Sequence, residues 1–327
     1  MATSKKPSAA RLKTILLRQM VAAWDTSYEA SILATVAEAP SISRASILTP
    51  SKLGGREVHV LSPAERSLGI LGFYHPDTVG LQEQRMLDPA PSRHPLWGFP
   101  GMTNVDLPSL KGLVDVAERL GYSDLLPSIE IPDQDYPGQT VSTVFPFIGD
   151  QLWAFRGGAR GVYALDWNIK DTYKAFKCPP PRPSGKPRRE HELRAALARH
   201  EMQTIYYADA GIRSIQIAGE GLDFHVAANL RQLFLHHRRQ VDVPPNLKEE
   251  ILDRFRAALA TGVPPLEVIM IYSESDRCTI HQCRDLFYQF IWKRELRLDL
   301  FQPILIDRPM HPEERDAIDV YADWFRE

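Results

Sequence analysis

The chain has little cysteine, no long apolar run, no internal repeat and almost no net charge, and each shortage removes a class of function. Cys178, Cys278 and Cys283 are the only cysteines in 327 residues, too few for a disulfide framework and suited to a reducing cytoplasm. No stretch approaches the roughly 20 consecutive apolar residues that a bilayer span requires, so no membrane protein is expected. Residues 1–13 are basic but carry no apolar segment followed by a small-residue cleavage site, so no secretory signal is read there. A GxxxxGK[ST] phosphate loop is missing, which argues against an ATPase. The formal net charge of -2 does not advertise a nucleic-acid binder. What is present is an ordinary globular composition, 44% hydrophobic and 24% charged, in a chain long enough for two domains.

Charge distribution says more than the sum. Lys177, Arg182, Lys186, Arg188, Arg189, Arg194 and Arg199 stand against only Glu190 and Glu192, and His236-His237-Arg238-Arg239 closes a later helix. Such faces can engage phosphates on a near-neutral protein, and they can equally be solvated surface.

Periodicity organises the chain. Residues 10–23 read as a basic helix and 57–61 as a short strand. Ser62-Pro63-Ala64-Glu65 then looks like a helix start, with serine as cap, proline in the first turn and an acid favoured by the helix dipole. That helix should stop at His75-Pro76, and 78–85 should be a strand. Residues 88–146 are rich in proline and glycine and read as an insertion or elaborated loop with one helix over 107–120. Strands over 151–155 and 161–170, joined by Gly157-Gly158, predict a hairpin. CPPPRPSGKPRR (178–189) cannot be a helix or central strand; a helix over 190–210 and a strand over 213–218 follow. Helices are expected over 229–239, 247–260 and 279–293, with 266–271 a short apolar run of either type and 295–306 strand-like. Three helices and then a strand suggest a winged-helix domain, although a plain helical bundle fits the periodicity as well.

Phosphodiester hydrolysis needs a divalent cation to shield phosphate charge and activate water, and a cationic side chain for the developing negative charge. Magnesium accepts one or two carboxylates with a backbone carbonyl and keeps several waters. A frequent nuclease solution places one acid in the first turn of a helix and another at a strand start. An acid or amide then sits two residues before a lysine on the adjacent strand, so that both point to one face. Glu65, Asp150 and Asn168-Ile169-Lys170 offer these parts in order. Taken singly, they read as a cap-region charge, a turn residue and a strand-end cation. Asp166, two residues before Asn168, is the substitute acid if Asp150 does not serve.

Several segments resemble TnsA-type transposon endonucleases. They are PSKLGGR ending at Arg56, SPAER around Glu65, FYHPDTVGLQEQ ending at Gln84, the long segment 199–233 and FIWKRELRLDLFQPI at 290–304. Together they cover about half the chain in the family's order. The resemblance implies an α/β (α+β) restriction-endonuclease-like core of PD-(D/E)xK type over 1–222, with a mixed sheet flanked by helices, an N-terminal helical extension and an insertion at about 88–146. A mainly α, winged-helix-like interaction domain over 223–327 would follow. The family's glutamate, aspartate, glutamine and lysine fall on Glu65, Asp150, Asn168 and Lys170. Mg²⁺, with Mn²⁺ as substitute, is then expected on Glu65, Asp150 and the Ile169 carbonyl, and DNA phosphates on Lys52, Arg56, Lys186, Arg188 and Arg189. The implied partners are transposon-end DNA, a DDE-type transposase and an AAA+ regulator, in a bacterial cytoplasm. A stand-alone restriction or repair nuclease and a non-cleaving assembly subunit with a decayed site remain alternatives, the latter because Asn168 is neutral. Cys278 and His281 carry soft-metal ligands, but a structural zinc needs a second pair and none is apparent.

Overall fold

The computed structural model describes residues 7–21, 23–40, 43–102, 104–133, 136–178 and 190–327. The chain divides into two compact units. The first takes Met1–Arg66, Asp77–Gly221 and Arg326–Glu327, and the second takes Ser67–Pro76 and Leu222–Phe325. A single division near residue 222 does not anticipate that most of one early helix joins the later unit.

In chain order the first unit contains α1 (Ala9–Gln19), β1 (Ser46–Leu48), β2 (Val58–Val60), the first turn of α2 (Pro63–Tyr74), β3 (Thr78–Glu83) and β4 (Met86–Leu87). α3 (Leu113–Leu120), β5 (Ser128–Pro132), β6 (Thr140–Val144), β7 (Phe147–Ile148), β8 (Gln151–Arg156) and β9 (Val162–Lys170) follow. α4 (Lys174–Lys177), α5 (Glu190–Ala208) and β10 (Arg213–Ala218) complete it. A mixed four-stranded sheet runs in the order β10-β9-β8-β3. β3, β8 and β9 are antiparallel neighbours, and β10 lies parallel to β9 after the crossover through α5. The β8–β9 turn needs left-handed backbone at Gly158 (φ 68°) and Gly161 (φ 82°), which glycine adopts without a Cβ penalty.

β8 and β9 are covered on both faces, so LWAF reads as a continuous apolar run and ALDWNI is buried throughout, Asp166 and Asn168 included. Leu152, Ala154 and Ala164 pack with Val116, Ala117, Met202 and Tyr206 in one core. Alternation sends Trp153, Phe155 and Trp167 to the other face, where Trp153 lies 5.4 Å from Trp167 and 5.9 Å from Phe155.

The stretch 88–146 is more than a loop. Leu96, Phe99, Met102, Leu110 and Leu113 are buried in that same core, and β5 and β6 form a hairpin. Its helix starts at Leu113 rather than 107, because a bridge between Ser92 and Leu110 holds the preceding chain extended. Gly112 then turns it at φ 96°.

The second unit combines the later turns of α2 with α6 (Phe224–His236), α7 (Pro245–Thr261), α8 (Pro265–Glu274), α9 (Ile280–Trp292) and α10 (Ala317–Val320). The apolar run at 266–271 is therefore helix, admitted by prolines at its first turn. Phe73 stacks on Phe234 (6.5 Å) and Tyr74 tilts against Trp292 (5.6 Å). Residues 295–306 are not a strand: among the described residues their one ladder contact is the isolated bridge Leu298–Pro312. Their polar groups are satisfied by a side chain instead. The Asn229 amide donates to Leu300 O and Gln302 O, both at 2.8 Å, and accepts from Ile304 N at 3.2 Å.

In the basic cluster 236–239 the two histidines are buried and the two arginines are exposed. The His236 ring meets Asp285 Oδ1 at 2.6 Å and lies 4.4 Å from Tyr288. His237 stacks on Phe234 at 4.3 Å. Burial lowers the pKa of both imidazoles, so this cluster supplies less positive surface than its sequence suggests. No helix among the described residues is long and apolar enough to cross a membrane.

Candidate functional site

At one end of the sheet, residues from four segments meet. Glu65 sits in the first turn of α2, where Ser62 Oγ accepts from its amide at 3.1 Å. Its Oε2 accepts from Leu61 N (2.8 Å) and from the Gln84 side-chain amide (3.0 Å). The carboxylate therefore does cap the helix start, and it is also buried beside a second acid. Burial first, and the Asp150 charge second, push its pKa up to about 8, against the favourable bonds and the Lys170 charge.

Asp150 directly precedes β8. Its Oδ2 accepts from Ile169 N at 2.7 Å and lies 3.6 Å from Lys170 Nζ. Lys170, the last residue of β9, also donates to Ile169 O (2.8 Å) and Asn168 Oδ1 (3.3 Å). β8 and β9 are adjacent, with Gln151 opposite Trp167, which brings the start of one strand to the end of the other.

Asn168 has its amide end fixed from α5. Its Nδ2 meets His200 Nδ1 at 2.8 Å and Gln203 Oε1 at 3.4 Å. Burial pulls the His200 pKa down to about 4, so the neutral ring accepts that hydrogen bond and Asn168 Oδ1 is left facing Lys170. Gln203 also donates to Asp166 Oδ2 (2.9 Å), as does Ser214 Oγ (2.5 Å). Asp166 is fully enclosed, its Oδ1 has no hydrogen-bond partner, and burial pushes its pKa up to about 7. It shares a strand face with Asn168 and Lys170 but stays deeper, and Asp150 is the acid that reaches the lysine.

Three further contributors were not assigned to the site from the sequence. Gln84 closes β3 in left-handed backbone (φ 49°), a conformation rarely taken by glutamine. Its N–H donates to Asp150 O (3.0 Å), its carbonyl accepts from Ser31 N (3.1 Å), and its side chain holds Glu65. One strained residue thus ties both acids together. The Gln151 side-chain amide donates to Glu65 O at 2.9 Å. Arg199 donates to Ile148 O (2.6 Å), stacks over Phe147 (5.3 Å) and feels the Asp150 charge. The terminal glutamine of LQEQ was the available signal for Gln84. Nothing local marks His200 or Gln203, which depend on α5 lying against β9.

Comparison with protein-family models and with curated proteins gives no match.

The expected phosphate contacts separate from this cluster. Arg56 is buried, and its guanidinium forms a two-pronged pair with Glu83, at 2.9 Å on each prong. It donates as well to Leu81 O (2.7 Å) and Glu57 O (3.1 Å) and lies 5.0 Å over Tyr28. Lys52 occupies a 3-10 turn; burial lowers its pKa to about 8 while Asp77 opposes the shift. Lys186, Arg188 and Arg189 lie outside the described residues. Among the described residues no three His, Cys, Asp or Glu side chains gather as a metal cluster.

Proposed function

We propose that the chain is a metal-dependent DNA endonuclease subunit of the TnsA type, cutting the 5′ strands at transposon ends beside a DDE-type transposase. The observation that carries this reading is the approach of Asp150 to Lys170 (3.6 Å) next to a buried Glu65 whose pKa burial and then the Asp150 charge raise. First-turn acid, strand-start acid and an amide two residues before a lysine on the adjacent strand are the parts that phosphodiester hydrolysis requires, and they support a restriction-endonuclease-like core. The second, helical unit would be the interaction domain for an AAA+ regulator.

Two neighbouring carboxylates with a lysine beside one of them suit a divalent cation, because added positive charge offsets both the burial and the Asp150 repulsion that raise the Glu65 pKa. Glu65 and Asp150 would hold Mg²⁺ or Mn²⁺, with the Ile169 carbonyl as a further oxygen. When bound, the cation would neutralise phosphate charge and acidify a water. Lys170 places its ammonium beside Asp150 for the charge that develops on the phosphate. Asn168 holds that ammonium through Oδ1, and His200 and Gln203 fix which end of the amide faces it.

The neutral Asn168 in place of an acid favours a second reading, an assembly subunit with a decayed site. Calorimetric Mg²⁺ titration and a nicking assay on transposon-end DNA separate the two. The endonuclease reading expects Mg²⁺ uptake and nicking that both vanish in Asp150→Ala while the fold persists. Undiminished nicking by Asp150→Ala would sink the site assignment, and no carboxylate-dependent uptake by the unaltered chain would favour the decayed subunit.

A further inference from the structure

Arg85, the residue after the left-handed Gln84, lines an open cavity of about 650 Å³ together with α1 and the segment around Trp97. It is 6% exposed, yet no carboxylate pairs with it among the described residues. Its Nη1 donates to Gln82 Oε1 at 2.5 Å, and its Nε is buried with no hydrogen-bond partner. Arg56, which pairs with the last residue of β3 two positions before Arg85, is instead met by Glu83 and two carbonyls. The contrast is informative, because a buried guanidinium left without an anion is costly and folded chains rarely retain one without use.

The rest of the cavity defines what could neutralise it. Leu16, Met20, Val21 and Trp97 line it and are exposed at 41%, 76%, 76% and 49%. Arg93 lies 3.8 Å over the Trp97 ring. Asp88 is the one acid among the lining residues, so the two arginines leave one positive charge in excess. His94 contributes no charge: its Nδ1 accepts from Leu96 N at 3.0 Å, and burial pulls its pKa down to about 4.

A phosphodiester backbone would want a polar surface with several cations. A single deep cation under an apolar rim instead matches one carboxylate flanked by aliphatic side chains. We infer that this cavity docks an acidic peptide segment of a partner protein, with an Asp or Glu carboxylate on Arg85 and apolar neighbours against Leu16, Met20 and Trp97. The inference does not depend on nuclease activity.

The test titrates the full chain, labelled with ¹⁵N in its arginine side chains, with the capped peptide Ala-Leu-Asp-Leu-Ala, its Asn counterpart and inorganic phosphate. Arg85→Lys identifies the Arg85 Nε–H resonance. The expected result is a saturable movement of that resonance with the Asp peptide, binding weaker by about tenfold or more for the Asn peptide, and no displacement by phosphate. Arg93→Ala, at an exposed position, should weaken the Asp peptide by about threefold or more. Absence of a saturable response, equal binding of the two peptides, or tighter binding of phosphate overturns the inference. Should Arg85→Lys fail to fold, Arg93→Ala decides, and an unchanged affinity overturns it.

Discussion

Replacing Arg56 tests whether a basic position before the candidate site contacts DNA or holds the fold. The Arg56 and Glu83 side chains are 6% and 0% exposed, and the guanidinium makes four hydrogen bonds to Glu83, Leu81 and Glu57. Arg56→Met leaves Glu83 charged and enclosed, with only the His59 amide (3.1 Å) and weaker neighbours to compensate. Breaking one side of a buried pair costs about 3–5 kcal/mol, most of it the stranded charge. With a urea slope of about 2 kcal/mol per molar, the unfolding midpoint of the first unit should fall by roughly 1.5–2.5 M. Arg56→Lys keeps the charge but loses the planar fork, and should fall between. The double variant Arg56→Met with Glu83→Gln should recover more than half the loss, because no orphan charge remains. The assay is urea unfolding followed by tryptophan fluorescence at low and high salt; a buried pair should respond little to salt. If Arg56→Met unfolds at the unaltered midpoint while DNA binding weakens and loses salt dependence, the structural account is wrong and Arg56 contacts phosphate.

Three further outcomes follow from the same geometry. Asp166→Asn should flatten the alkaline side of the stability profile. Its folded pKa of about 7 lies above the unfolded value of 3.8, so its contribution is full below about pH 4 and is lost as pH rises through 7. That loss amounts to up to about 4 kcal/mol, and unfolding measured at pH 4 and pH 8 checks it. On the proposed endonuclease reading, Lys170→Gln should lower nicking by about a hundredfold or more while moving the urea midpoint little, since the ammonium is partly exposed; equal losses of both would make Lys170 a structural residue. Gly112→Ala should destabilise by roughly 2–4 kcal/mol, because the added Cβ would lie 2.6 Å from Ala90 C in backbone with φ 96°. Thermal unfolding at an unchanged midpoint would show that the chain around Ala90 yields.

How much of the site was legible depended on whether its cause was local. Glu65 could be placed because a serine cap, a proline and an acid make a helix start within four residues, and α2 begins there. Lys170 could be placed because the glycine turn set the hairpin and period 2 set the face. The strand at 213–218 was legible from alternation alone. That Arg56 is buried against Glu83 was not legible, since the two are 27 residues apart and meet only through the tertiary fold. Residues 295–306 looked extended and apolar, as a strand would, but extended chain becomes a strand only with a partner; Asn229 takes those backbone groups instead.

The sequence by itself determined where α2 starts, where the central hairpin turns and which residue types could serve phosphate chemistry, because caps, glycine turns and periodicity act over a few residues. Tertiary structure alone decided that Asp150 rather than Asp166 approaches Lys170, that His200 and Gln203 orient Asn168, and that Arg56 is neutralised while Arg85 is not. Those outcomes depend on which strand and helix lie side by side, and burial then sets the charge state of each group according to the partners it meets.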